Sequence, residues 1–190
     1  MTQNLNPEVD KKQAKKNELA QHAAHYLLQN GFEGFTLRLI GQAANTSDRM
    51  LLHYFANKNE LLQAALLAAQ QNLFAYLEQT QLTRQEPAGM MMQLHQLILK
   101  DAFLPYLRLW LALLVYSQKQ TGFKAIAAQM LHAFEQWVAP KIECPAEQLE
   151  QCSAFVVTWL EGAVVRQLAG QSDAIGLEWF GNVGQYPLKQ

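Results

Sequence analysis

The sequence predicts an all-α protein, built as a small N-terminal three-helix unit that contains a helix-turn-helix, followed by a larger helical region. Three observations predict it. Apolar residues recur at three- and four-residue steps, the spacing of one helix face, in segment after segment between Leu19 and Leu168. Only Asn45-Thr46-Ser47 separates two such runs near residue 45, which is too little chain for anything but a tight turn. Half of the 190 residues are apolar, enough for a sizeable core.

Residues 1–10 are expected to be unstructured, and Lys11, Lys12, Lys15 and Lys16 then lead into the first helix. Its inner side is Leu19, Ala20, Ala23 and Leu27, and Asn30-Gly31 ends it, with Gly31 suited to the left-handed position after a helix. The second helix runs from Leu37 to Ala44, with Thr36 as its N-cap and Leu37, Ile40, Ala43 and Ala44 on one face. Gly41 on this helix admits a close backbone neighbour, and Asn45 tolerates the positive φ that the turn demands. Ser47 caps the third helix. Leu51, Tyr54 and Phe55 give that helix an inward side, leaving Asp48, Arg49, Met50 and His53 outward.

Asn57-Lys58-Asn59-Glu60 reads as a capping box, with Asn57 as cap and Glu60 folding back, at the head of a fourth helix that reaches about Gln81. A loop follows over Thr83–Gly89, then a helix over about Ala88–Lys100 with Met91, Leu94, His95 and Ile98 on one face. Pro105 fits the first turn of the next helix, whose face carries Tyr106, Trp110, Leu113, Leu114 and Ser117. After Gln120-Thr121-Gly122 comes a helix with Phe123, Ile126, Met130, Phe134 and Trp137, ending near Pro140. The last long helix, Ala146–Ala169, has two apolar stripes: Leu149, Cys152, Val156, Trp159 and Ala163, and Val157, Leu160, Val164 and Leu168. A second stripe points to burial against a partner. A short final helix is expected between Asp173 and Phe180.

Two helices joined by a short turn, with polar side chains outward on the second, form the geometry that enters a DNA major groove, although the same shape also serves as plain structure. The ordered series Gly31-Phe32, Thr36, Ser47, His53-Tyr54-Phe55, Lys58 and Glu60-Leu61 narrows the choice. In these residues the segment from about Glu18 to Leu67 resembles the DNA-binding domain of the TetR/AcrR family of transcriptional regulators. The chain departs from that family's pattern at Asn45-Thr46, Arg49-Met50 and Leu52.

The resemblance implies a DNA-binding domain over 11–56 and an effector-binding and dimerisation domain over 57–190, working as a homodimer on double-stranded operator DNA. Expected DNA contacts are Lys15, Lys16, Thr36, Thr46, Ser47, Asp48, Arg49, Met50, His53, Tyr54 and Lys58. Arg49 can donate two hydrogen bonds to guanine or meet a phosphate, or else pair with Asp48 or another acid. Met91, His95, Phe103, Tyr106, Trp110, Met130, Phe134 and Trp137 are either core or the lining of a cavity for a hydrophobic or aromatic effector. Val157, Leu160, Glu161, Val164, Gln167 and Leu168 are expected at the dimer seam. Repression relieved by the effector is the mode that the resemblance implies.

Other classes find less support. The net charge of −1 argues against a globally basic coat for nucleic acid. The polar first residues lack the apolar core of a secretory signal, and no apolar run reaches the length of a membrane span, so a cytoplasmic protein is expected. Cys144 and Cys152 are too few for a disulfide framework and lack zinc-site spacing, and the pair His22 and His25 lacks a third ligand nearby. No cofactor or metal is expected. Neither a nucleophile beside a His in a known motif nor a phosphate-binding glycine loop is present, so the expectation is not an enzyme. The rival reading is a helical small-molecule carrier or small enzyme that keeps a helix-turn-helix as scaffold.

Overall fold

The computed structural model describes residues 7–171, which fold entirely as helices apart from one isolated β-bridge between Gln85 and Ile142. Eight α-helices follow in order: α1 Pro7–Asn30, α2 Leu37–Ala43, α3 Asp48–Tyr54, α4 Lys58–Glu78, α5 Pro87–Ile98, α6 Leu104–Ser117, α7 Phe123–Val138 and α8 Leu149–Leu168. Short 3-10 turns stand at Asp101–Phe103, Ala139–Lys141 and Ala146–Gln148. Several boundaries differ from the sequence expectation: α4 ends at Glu78, short of Gln81, and α5 starts at Pro87, inside the loop expected over Thr83–Gly89. Helix α1 already begins at Pro7, where a proline's fixed φ suits the first helical position, so residues 7–10 are helical rather than irregular. Helix α8 begins at Leu149, because the turn after Pro145 is first wound as a 3-10 turn. The short helix expected between Asp173 and Phe180 lies outside the described residues.

By internal packing the chain divides into two compact units, one of residues 7–79 with 109–127 and one of 80–108 with 128–171. The expected boundary at residues 56/57 falls inside the first unit, because α4 lies against α1 along much of its length. Leu19, Ala23 and Leu27 on α1 and Leu61, Leu62, Ala65, Leu66 and Ala69 on α4 are all buried. Phe35, Ile40, Leu51 and Phe55 complete this core from the loop, α2, α3 and the end of α3. Also in this unit, Phe32 stacks on Tyr116 at 4.6 Å and Tyr116 meets the fully buried Phe123 edge-on at 5.1 Å.

The second unit is organised by α5 against α8. Met90, Met91, Leu94, Leu97 and Ile98 are buried on the former, and Val156, Val157, Leu160, Ala163 and Val164 on the latter. Both α8 stripes read from the sequence thus contribute to this core. The side that α8 leaves open is a third one, Gln151, Phe155, Thr158, Gly162 and Val165, in which Phe155 is 53% and Val165 52% exposed.

Candidate nucleic-acid interface

The helix-turn-helix is fixed by local chemistry at each corner. The N–H of Leu39 donates to Thr36 Oγ1 at 3.3 Å, and that of Met50 to Ser47 Oγ at 3.1 Å, so both short helices have the side-chain caps that their sequences call for. Asn45 takes φ +49° in the turn. The Thr46 N–H donates to the Gly41 carbonyl at 2.7 Å. A Cβ on Gly41 would stand 3.0 Å from the Thr46 carbonyl oxygen and 3.2 Å from the Asp48 nitrogen, which is why glycine stands there. Leu51, fully buried, anchors the inner side of α3.

The outer side of α3 carries Asp48, Arg49, Met50, Leu52 and His53, all exposed. Ser47, Arg49, Met50, His53 and the half-buried Tyr54 line an open hollow of about 300 Å³. The His53 ring stands edge-on to Tyr54 at 5.0 Å. Asp48 turns its carboxylate back to accept from the Arg49 N–H at 2.9 Å, a favourable place for negative charge at a helix start. Among the described residues the Arg49 guanidinium makes no ion pair, so its donors face outward. Leu52, 47% exposed, belongs to the same surface although only Met50 was expected there as an apolar contact. Its place could have been read from the sequence, since it sits between outward positions.

The start of α4 borders this surface. Asn57 Oδ1 accepts from the Glu60 N–H at 3.0 Å, and Glu60 Oε2 accepts from the Ala56 N–H at 2.6 Å. The capping box is therefore present, with the glutamate reaching one residue further back than the usual reciprocal pair. Lys16 Nζ donates to Glu60 Oε1 at 2.6 Å and lies 5.2 Å from the centre of the Phe55 ring. The Lys16 hydrogen bond, and after it that of Ala56, holds the Glu60 carboxyl below the usual carboxylate range. Lys15 is paired with Glu18 at 2.8 Å. Of the three lysines expected at DNA, Lys15 and Lys16 are thus each paired with a carboxylate of the chain, whereas Lys58, at the first position of α4, is exposed and unpaired among the described residues. Thr36 and Thr46 are occupied as a helix cap and a turn contact.

The residues expected around an effector are placed less uniformly. Met91, Phe103 and His95, the last only 5% exposed, are buried, and His95 stands edge-on to Trp159 at 6.1 Å. Tyr106, Trp110, Met130, Phe134 and Trp137 are half-buried, and burial pushes the Tyr106 hydroxyl above its usual range. Phe134 and Trp137 pack at 5.6 Å, with Lys141 Nζ 3.9 Å above the Trp137 ring. Trp110 belongs to the first unit and the other seven to the second. Of the residues expected at a dimer seam, Val157, Leu160 and Val164 are buried within the chain and Glu161, Gln167 and Leu168 are half-buried. No group of three or more potential metal ligands occurs among the described residues, and none of their helices is long and apolar enough to cross a membrane.

Residues 20–65, from α1 into α4, match the family model of the bacterial regulatory proteins of the tetR family. Among curated proteins none matches the chain. The fold is similar to that of a transcriptional regulator from Rhodococcus sp. Rha1, with a TM-score of 0.64 at 20% identity over 81% of this chain and 83% of that one. It is similar also to a Rhodococcus sp. protein assigned to the TetR-family transcriptional regulators, with 0.64 at 16% over 90% and 96%. Salmonella enterica GusR gives 0.62 at 12% over 96% of each chain. Residues 20–65 thus match the domain of the tetR family of bacterial regulatory proteins, and the all-helical fold around them is similar to that of solved transcriptional regulators.

Proposed function

We propose that the protein is a homodimeric transcriptional regulator that holds double-stranded operator DNA through α3 and releases it when a small hydrophobic or aromatic effector binds the second unit. The observation that carries this reading is the outward side of α3: an unpaired Arg49 beside Met50 and His53 around an open hollow, on a helix whose backbone is already capped. Arg49 supplies two parallel donors for a guanine edge, Met50 and Leu52 supply apolar contact for a thymine methyl, and His53 adds a ring nitrogen. Tyr54 and Lys58 position the helix on phosphate, aided by first-turn N–H groups of α4. Lys15 and Lys16 act at one remove, by bracing α1 and the start of α4.

A second copy joins through the open side of α8, where Phe155 and Val165 flank Thr158 and Gly162. A Cβ at Gly162 would meet nothing within 4 Å, so this face has room for a partner helix. The two-fold axis would set the paired α3 helices about 34–36 Å apart, one turn of DNA. His95, buried beside Trp159 on the apolar α5, is the polar anchor for an effector whose binding alters that separation, with a coupling of about 1–3 kcal/mol. The protein works by binding and not by catalysis.

Fluorescence anisotropy with DNA from the gene's own promoter region, across a salt series, tests the reading. Affinity should fall steeply with salt. Lys58→Ala should lower the slope of log affinity against log salt by about one, uniformly across sequences. Arg49→Ala should instead remove about 1–3 kcal/mol of preference at one base position. A chain that binds no such fragment at any salt would be a helical carrier instead.

A further inference from the structure

Of the large apolar side chains on α2, α3 and α4, only Met50 and Leu52 are exposed, at 44% and 47%. Both lie on α3, on either side of the fully buried Leu51, so the core has no use for them. Helix geometry sets them around Arg49: Met50 follows it by about 100° of turn, and Leu52, three residues on, falls about 60° short of a full turn, on the other flank. The Arg49 guanidinium, which makes no ion pair among the described residues, therefore stands between two exposed apolar side chains. The acceptors nearby are committed to the helix itself. Asp48 accepts from the Arg49 N–H at 2.9 Å, and Ser47 Oγ from the Met50 N–H at 3.1 Å. Apart from the His53 ring, this side thus offers a charged double donor with apolar flanks, and little to receive the amino group of an adenine or a cytosine.

We propose that α3 recognises a guanine next to a pyrimidine that carries a methyl group at C5, so that 5-methylcytosine is accepted in place of thymine and cytosine methylation strengthens binding. This rests on the reading of α3 as the helix that enters the major groove, and it names what the helix reads there. Guanine turns its O6 and N7 acceptors to the two parallel donors of Arg49. The C5 position of the neighbouring pyrimidine, on either strand, opens into the same groove, where a methyl group meets Met50 or Leu52 and a hydrogen leaves a gap. The unbranched thioether of Met50 adjusts to the methyl's position, and Leu52 presents its own methyl groups from the other flank. Thymine and 5-methylcytosine carry the same methyl, whereas uracil and cytosine carry none. An apolar contact therefore sorts the four by methylation and not by base. Taking one such methyl out of water is worth about fourfold in affinity. The consequence is a regulatory input separate from the effector: methylating a cytosine beside the contacted guanine tightens the complex.

The full-length protein is titrated by fluorescence anisotropy against its own promoter fragment, amplified with either thymidine or deoxyuridine triphosphate. The uracil fragment should bind at least about fourfold more weakly. Thymines are then replaced one at a time by deoxyuridine, and the position of largest loss should adjoin a guanine. At that position cytosine should bind weakly and 5-methylcytosine about fourfold more tightly than cytosine. A protein carrying both Met50→Ala and Leu52→Ala should bind the thymine and uracil fragments alike. Equal affinity of the wild-type protein for the two fragments overturns the methyl reading and leaves α3 as the DNA-contacting helix. Discrimination that survives in the double variant overturns it as well, by placing the methyl contact elsewhere. A chain that binds the thymine fragment at no salt concentration overturns both readings. The wild-type comparison decides the matter even should the variant fold poorly.

Discussion

Helices α3 and α8 each turn one side to solvent, and the chemistry of those sides differs. On α3 the open side presents the unpaired guanidinium of Arg49 and the His53 ring together with Met50, on a helix seven residues long whose N-terminus is capped by Ser47. On α8 it presents Phe155 and Val165 with Thr158 and Gly162 between them, on a helix of twenty residues with no side-chain cap at its start. Exposed donors lose little in water and gain from a matching polar surface, whereas an exposed apolar strip gains from being covered by another. The first side therefore suits a polar, charged partner such as DNA, and the second suits protein.

Charging the α8 strip should have the largest effect. Replacing Phe155 and Val165 together by Asp should weaken self-association by about 2 kcal/mol or more and leave a folded monomer, read by sedimentation velocity and circular dichroism. An unchanged sedimentation coefficient would erase the contrast between the two helices. Gly41→Val comes next. Its side chain would run into the Thr46 carbonyl and the Asp48 nitrogen, so about 1–3 kcal/mol of stability should be lost by denaturant titration, with DNA affinity falling as the turn opens. Equal affinity in a folded Gly41→Val protein would show that the angle between α2 and α3 does not matter.

The smallest effect concerns Glu60, whose side chain is 37% exposed, so that solvent screens its pairing with Lys16. Glu60→Gln should cost about 1 kcal/mol or less at neutral pH. Because the folded carboxyl is held below its ordinary value of 4.5, its contribution is complete above that pH and is lost as pH falls through the lowered folded value. The gap between wild type and variant in denaturation midpoint should therefore close on acidification. A gap that stays constant down to the acid limit would assign the role of Glu60 to shape and not to charge.

Much of the first unit's motif could be read from the chain because its determinants are local. Thr36, Ser47 and Asn57 cap the helices that follow them, Gly31 takes φ +68° and Asn45 φ +49°, and each needs only its near neighbours to do so. What could not be read there was the use of long side chains. Lys16 looks like any other member of a basic cluster until folding brings it to Glu60, 44 positions away. Lys58, by contrast, makes no ion pair among the described residues.

The sequence alone determined that the chain is helical, where its turns fall and which face of α3 is polar, since periodicity, caps and positive-φ residues act within a few positions of themselves. Only the tertiary structure decided which side of α8 is left open. Both stripes read from the sequence enter the core that α8 forms with α5, and the apolar residues left in water are Phe155 and Val165, on a side that also carries Gln151, Thr158 and Gly162. The tertiary structure likewise decided the path of the connector after Lys141, which is set by its bridge to Gln85 and not by the residues next to it in sequence.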